Sequence, residues 1–348
     1  MLNPKKQNIL ELDRNDLISW LGTRKIESYR ADQILKWIYL RQTDRFGLMT
    51  DIAKDIRPLL ENHFTIGRLQ KENVEISKDG SRKYLFKLED GKRIESVLMP
   101  ERDHYTLCIS SQVGCAQDCR FCLTARGGFQ RNLSKAEIVS QVRDIKNEME
   151  HSMPLRNLVF MGMGEPLANY KNLVDAIAVI TDTGIGLGFA SRRVTVSTAG
   201  LVPRLAALGR DTRVNLAISL NATDNDTRSR LMPINRRFPL EELLKACQHF
   251  PLPGGRRITF EYVLLKDVND SVEDAHRLVK LLRPIKSKIN LIPFNSYEGC
   301  QYQRPDEDTI LRFQQILIDR NYTVMIRQSK GQDISAACGQ LAGKIEES

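Results

Sequence analysis

The segment Gly114-Cys115-Ala116-Gln117-Asp118-Cys119-Arg120-Phe121-Cys122 sets three cysteines on one short loop, with three and then two residues between them. Thiolates so spaced can hold three corners of a four-iron cluster and leave the fourth iron without a protein ligand. An open iron is a seat for a substrate or cofactor. A structural zinc ion is the other metal reading, and it needs a fourth ligand from Cys108 or a distant residue. Inert buried thiols fit poorly on a polar loop that contains Asp118 and Arg120. Both metals accept thiolates, so the spacing favours iron and sulfide and leaves zinc open.

From residue 105 onward, short apolar runs alternate with helical stretches, the signature of parallel βα units. Strands are expected over 106–110, 157–161, 193–197, 214–220, 258–265 and 288–293, with a further one over 322–327. Six units are too few for a closed eight-stranded barrel, so the fold class is α/β, an open partial (β/α)6 barrel. Ser134-Lys135-Ala136-Glu137 reads as a capping box, and Asn169 as the cap of a helix running towards Gly184. Chemistry in such folds collects where strands end, and the three-cysteine loop directly follows the first strand.

Other strand ends carry matching residues. Gly162-Met163-Gly164-Glu165-Pro166 follows the second strand; its glycines admit a close ligand, and Glu165 can pair with a ligand ammonium group. Ser197-Thr198 ends the third strand, Ser219-Leu220-Asn221 the fourth and Asn295 the sixth. Each alone is ordinary turn chemistry. Together they mark one rim.

The flanks read differently. Residues 1–70 form a helical accessory domain, with helices expected over 16–21, 31–41 and 49–64. Its basic residues Arg24, Lys25, Arg30, Lys36 and Arg41 interleave with Trp37 and Tyr39, a mix suited to nucleic acid or to a solvated face over an aromatic core. Residues 71–100 change to period two around Asp79-Gly80 and Asp90-Gly91, an antiparallel extension with Glu95 near its end. The barrel then covers 101–330, and 331–348 is a flexible, small-residue tail carrying Cys338. Cys247 and Cys300 read as small hydrophobes or idle thiols.

Composition narrows the class. With 348 residues, 41% hydrophobic and 27% charged, the chain has an ordinary globular make-up. Its apolar runs are far shorter than a bilayer span and residues 1–6 hold no apolar signal segment, so no membrane and a cytoplasmic location are expected. Seven unevenly placed cysteines do not make a secreted disulfide framework. A formal net charge of +9 suits a polyanionic partner, though solubility alone explains such a surplus as well.

The cysteine loop, taken with Gly164-Glu165-Pro166, resembles the radical S-adenosylmethionine superfamily, and within it the RNA adenine C2-methyltransferases of the RlmN type. Six stretches carry the resemblance: 108–115, 121–125, 128–133, 160–167, 230–235 and 333–341. The resemblance implies a [4Fe-4S] cluster on Cys115, Cys119 and Cys122. It also implies S-adenosylmethionine lined by Gly164, Glu165, Ser197, Ser219, Leu220, Asn221 and Asn295. In that family one molecule of the cofactor methylates a cysteine, here matching Cys338. A second, split at the open iron, yields a 5'-deoxyadenosyl radical that takes hydrogen from the methylated sulfur. The resulting carbon radical adds to adenine C2, Glu95 matches the proton acceptor, and Cys108 releases product through a transient disulfide.

The implied partners are 23S ribosomal RNA, tRNA at the adenosine 3' of the anticodon, and an electron donor such as flavodoxin or ferredoxin, acting on a monomer. Two departures stand out. Asn221 occupies a position where relatives commonly carry His, which removes a proton-transfer role. The approach 327–331 is less arginine-rich, with Lys330 left as a point charge. The competing readings are a Cfr-type enzyme methylating C8 of a ribosomal adenine and a non-catalytic, zinc-stabilised RNA-binding protein.

Overall fold

In the computed structural model of the chain, residues 6–149, 153–297 and 299–343 are described; the ends of the sequence reading, 1–5 and 344–348, lie outside them. A ten-stranded sheet follows chain order from one edge to the other. Its strands are β1 (Gln70–Ile76), β2 (Arg82–Lys87), β3 (Arg93–Pro100), β4 (Tyr105–Cys108) and β5 (Leu155–Phe160). Then come β6 (Val194–Thr198), β7 (Asn215–Ser219), β8 (Ile258–Leu264), β9 (Ser287–Pro293) and β10 (Val324–Ile326). Pairing is antiparallel up to β4 and parallel from β4 to β10. The two edge strands do not meet, so the sheet is open, as six or seven βα units require.

The parallel strands mix apolar residues that pack under the helices with polar ones such as Ser197, Ser219 and Glu261 that face a cavity. Val196, Leu216, Ile218, Phe260 and Leu291 are all buried. Helices α1 (Arg14–Gly22), α2 (Tyr29–Tyr39) and α3 (Ile56–His63) precede the sheet. The third is half the length expected, since Met49 and Ile52 are buried in turns before it. Helix α4 (Lys135–Glu148) starts with the expected capping box: the Glu137 amide donates to Ser134 Oγ at 3.2 Å, and the Ser134 amide to Glu137 Oε2 at 2.9 Å.

Asn169 departs from its expected role. It precedes α5 (Tyr170–Thr181) but caps nothing with its side chain; Nδ2 donates instead to the Ser111 and Leu133 carbonyls at 2.8 and 2.7 Å. It therefore locks the loop after β4 in place, a demand stronger than one cap. The remaining helices are α6 (Val202–Asp211), α7 (Asn225–Leu231), α8 (Leu240–Gln248), α9 (Val272–Leu282) and α10 (Glu307–Ile318).

The N-terminal helices are bolted to the barrel through α4. Arg143 donates to the carbonyls of Ile38, Thr43 and Gly67, and Asp144 accepts from Arg68 and the Leu69 amide. Arg24, Arg30 and Arg41 lie over Trp20, Tyr29 and Trp37 at 4.0, 4.7 and 3.9 Å. Of the two readings of this basic and aromatic stretch, Tyr39 follows the aromatic core: it is buried, because at that helix position the ring faces inward.

Candidate active site

A short ladder between Gln112–Gly114 and Phe129–Asn132, absent from the sequence reading, brackets the cysteine loop. Inside it the Cys115 amide donates to Gly128 O at 3.0 Å and the Cys122 amide to Cys119 O at 3.0 Å. The Arg120 amide reaches Leu231 O at 2.9 Å, which docks the loop on α7. Cys115, Cys119 and Cys122 share the wall of a cavity of about 160 Å³. No three His, Cys, Asp or Glu side chains among the described residues converge as one metal ion would need, whereas a four-iron cluster takes its three thiolates on separate irons. Burial pushes each thiol up, Cys115 to about 12, and Cys115, Cys119 and Cys122 disfavour one another's ionisation at close range. Such a loop calls for metal charge to hold it as thiolates.

The same cavity is lined by Gly164, Glu165, Ser197, Ser219, Asn221 and Asn295, which come from four strand ends and the turns beside them. Gly164 sits at φ +103°, and a Cβ there would meet the Gln112 side chain at 2.5 Å, so only glycine fits. Glu165 accepts from the Leu167 amide at 3.0 Å and the Ala199 amide at 2.7 Å. Burial raises its carboxyl above the ordinary range, against those amides and Thr198.

Asn221 has φ +58°, a left-handed position that Asn tolerates better than most residues. Its Oδ1 accepts from the Val263 amide at 2.8 Å and its Nδ2 faces Met232 Sδ at 3.3 Å. Asn221 is thus committed to the protein scaffold. Leu220 turns its side chain into the core and does not line the cavity. Asn295 Oδ1 accepts from Gln332 of the tail at 2.8 Å.

A second, smaller cavity of about 50 Å³ lies against the first; Cys108, Cys338, Glu261 and Arg327 line it. Cys338 and Glu261 face both spaces. Cys338 is exposed to the cavity yet hemmed in by its walls, which raise the thiol, while Arg327 opposes and Glu261 adds to the effect. Cys108, at the end of β4, is buried and raised by that burial and then by Cys338. Both sulfurs line this smaller cavity. Sequence reasoning missed Glu261; its one signal was a carboxylate in the middle of the apolar run Ile258-Thr259-Phe260-Glu261-Tyr262-Val263.

The described part of the tail, 331–343, is tied down by hydrogen bonds where flexibility was expected. The Leu123 amide donates to Gly339 O at 2.7 Å, Thr124 Oγ1 to Leu341 O at 2.6 Å, and Gln340 Nε2 to Ser296 O at 3.2 Å. Asp333 accepts from Ser77 and the Lys78 amide, and Asp79 from the Gly331 amide. Glu95 Oε2 takes the amides of Ala342 and Gly343 at 2.7 and 2.9 Å, with Lys83 Nζ 3.8 Å from Oε1. Burial raises Glu95, against the Gly343 amide and Lys83. Glu95 lines neither cavity; it holds the segment that follows Cys338.

Comparison with known proteins agrees with this geometry. The family model described as the Radical SAM superfamily matches residues 109–279, and the one described as the ribosomal RNA large subunit methyltransferase N-terminal domain matches residues 7–66. The dual-specificity RNA methyltransferase RlmN of Desulfosudis oleivorans is 57% identical over 340 residues, covering 98% of this chain and 92% of that protein. Its counterpart in Geobacter sulfurreducens is 55% identical over 346 residues, 99% of this chain and 93% of that protein. A crystal structure of a radical SAM methyltransferase from Sphaerobacter thermophilus superposes with a TM-score of 0.91 at 40% identity, covering 97% of this chain and all of that one. The chain belongs to the RlmN family of the radical S-adenosylmethionine superfamily.

Proposed function

We propose that this chain is a dual-specificity RNA methyltransferase that methylates C2 of an adenosine in 23S ribosomal RNA and of the adenosine 3' of the anticodon in tRNA, using Cys338 as the methyl carrier. One observation carries the reading: Cys338 stands on the wall common to the cysteine-lined cavity and the Cys108 cavity. A group there can receive chemistry from one side and a resolving thiol from the other. The activity itself is supported by the relatives named RlmN over nearly the whole chain.

The residues fit a [4Fe-4S] cluster and S-adenosylmethionine. Cys115, Cys119 and Cys122 would hold the cluster, and one side of their cavity is ringed by hydrogen-bonding groups from four strand ends. When bound, these groups supply the carbon-radical chemistry that an electron-poor adenine C2 requires, since C2 offers no lone pair for polar methylation. The protein's own part is positional. Glu165 and Ser197 present a carboxylate and a hydroxyl to the cofactor, and Ser219 and Asn295 complete the rim. Cys338 first serves as a nucleophile and then as the carrier; Cys108 attacks its sulfur to free the product, leaving a Cys108–Cys338 disulfide. Glu95 is the proton acceptor in this reading, and its hold on Ala342 and Gly343 has to relax for its carboxylate to reach substrate.

No helix among the described residues is long and apolar enough to cross a membrane. We place the enzyme in the cytoplasm as a monomer served by a flavodoxin- or ferredoxin-like donor. The test is position-resolved nucleoside mass spectrometry of RNA treated with the reconstituted enzyme and with Cys338→Ala. We expect 2-methyladenosine with the former and none with the latter. A product of 8-methyladenosine alone, or an active Cys338→Ala protein, overturns the assignment.

A further inference from the structure

Arg143 and Arg228 are the wholly buried guanidinium groups among the described residues, and they are compensated differently. Arg143 donates to carbonyls but has the Asp144 carboxylate 3.6 Å away. Arg228 has no carboxylate partner among the described residues. Its Nε donates to Leu220 O at 3.0 Å, Nη1 to Asn235 Oδ1 at 3.0 Å, and Nη2 to Ala199 O at 2.8 Å and Ser219 O at 3.2 Å. All four acceptors are neutral. A cation taken out of water with neutral acceptors alone is costly unless a counter-charge stands nearby.

The position of Arg228 points to that counter-charge. It lies on α7, whose Leu231 carbonyl receives the amide of Arg120 from the cysteine loop at 2.9 Å. Cys119 packs against the cluster of Leu231 and Met232 at the end of the same helix. Arg228 Nη2 also reaches the carbonyls of Ala199 and Ser219, which line the same cavity as Cys119. Arg228 further acts on the cofactor rim. The Ala199 peptide is gripped from both sides, its amide by Glu165 Oε2 at 2.7 Å and its carbonyl by Arg228.

We propose that Arg228 is a positioning residue for the radical chemistry: its unpaired charge balances the thiolate-bound cluster beside Cys119, and its fork braces the ends of β6 and β7 that carry Ser197 and Ser219. This rests on the cluster assignment made above. A cluster held by three thiolates is anionic and becomes more so when it accepts an electron, so a fixed cation next to it makes reduction easier. The charge and the fork have separable consequences. Arg228→Gln removes both. Arg228→Lys keeps the charge and loses the fork.

The experiment is an anaerobic redox titration of the reconstituted protein, followed by electron paramagnetic resonance, with KM for S-adenosylmethionine measured alongside. We expect the midpoint potential of Arg228→Gln to move to more negative values. In Arg228→Lys the potential should stay close to that of the native protein while KM rises severalfold. Cys247→Asp is the second variant, because Cys247 is buried within electrostatic reach of Arg228 and a carboxylate there neutralises the cation without removing its four hydrogen bonds. It too should lower the potential, and it decides the matter should Arg228→Gln fail to fold. An unchanged potential in Arg228→Gln and Cys247→Asp overturns the proposal, since a purely structural arginine leaves the potential alone. Native protein that binds no iron and sulfide on reconstitution defeats the cluster reading instead, and the two failures are told apart by that analysis.

Discussion

The two walls of the active site are built in opposite ways. The cysteine wall is local: Cys115, Cys119 and Cys122 lie within eight consecutive residues of a loop closed by its own backbone bonds. The tail wall is assembled across the chain. Cys108 comes from the end of β4, while Cys338 arrives on a segment pinned by Ser77, Asp79, Glu95, Thr124 and Asn295. The first wall has to be rigid, because a cluster tolerates little change in ligand position. The second is fastened by individual hydrogen bonds, each worth about 1 kcal/mol net.

If the walls divide the labour in this way, their variants should fail differently. The largest contrast is between Cys119→Ala and Cys108→Ala. The former should lose iron and sulfide together with all methylation. The latter should keep the cluster and stall with RNA covalently attached, seen as a gel shift that survives denaturation; free turnover by Cys108→Ala would falsify its resolving role. Next comes Glu95→Gln, expected to slow RNA turnover on the order of 10²–10⁴-fold as a lost general base. It should also hasten proteolysis of the tail, because a neutral amide oxygen holds the Ala342 and Gly343 amides more weakly than a carboxylate does. Unchanged proteolysis would separate the base from the latch.

A smaller effect is expected at Arg327. Its guanidinium lowers the Cys338 thiol against the burial that raises it. Arg327→Met should therefore move the pH profile of Cys338 alkylation to higher pH in the cluster-free protein, and no displacement would mean that the charge does not reach the sulfur. The smallest effect concerns Glu261, whose Oε1 accepts from Asn290 Nδ2 at 2.9 Å and whose carboxyl burial raises above its usual 4.5. A raised value in the folded state contributes stability that is fully present below about pH 4.5 and is lost as pH rises through the folded value. Thermal melts should show Glu261→Gln gaining on the native protein as pH rises across that window. Parallel curves would contradict the raised carboxyl.

Much of this was legible before the structure. The order of the strands, the capping box at Ser134 and the rim residues Gly164, Glu165, Ser197 and Ser219 follow from period, turn chemistry and the rule that α/β sites sit at strand ends. Asn169 departs from its expected role and Tyr39 takes the second of its two readings for one reason: a short-range pattern says what a residue can do, and the tertiary contacts say which option it takes. Asn169 can cap, yet two buried carbonyls needed donors. Tyr39 can stack on a base, yet its helix face was already core.

The sequence alone determined the cysteine loop, the open α/β sheet and the list of residues at its rim, because ligand spacing and hydrophobic period are local properties of the chain. Only the tertiary structure decided that Cys338 and Cys108 line one cavity with Glu261 and Arg327, and that Glu95 holds the tail. Those relations join residues as much as 248 positions apart, as in the Glu95–Gly343 bond, and no periodicity encodes them. They come from burial, which obliges each charge or amide removed from water to find a partner wherever the fold provides one.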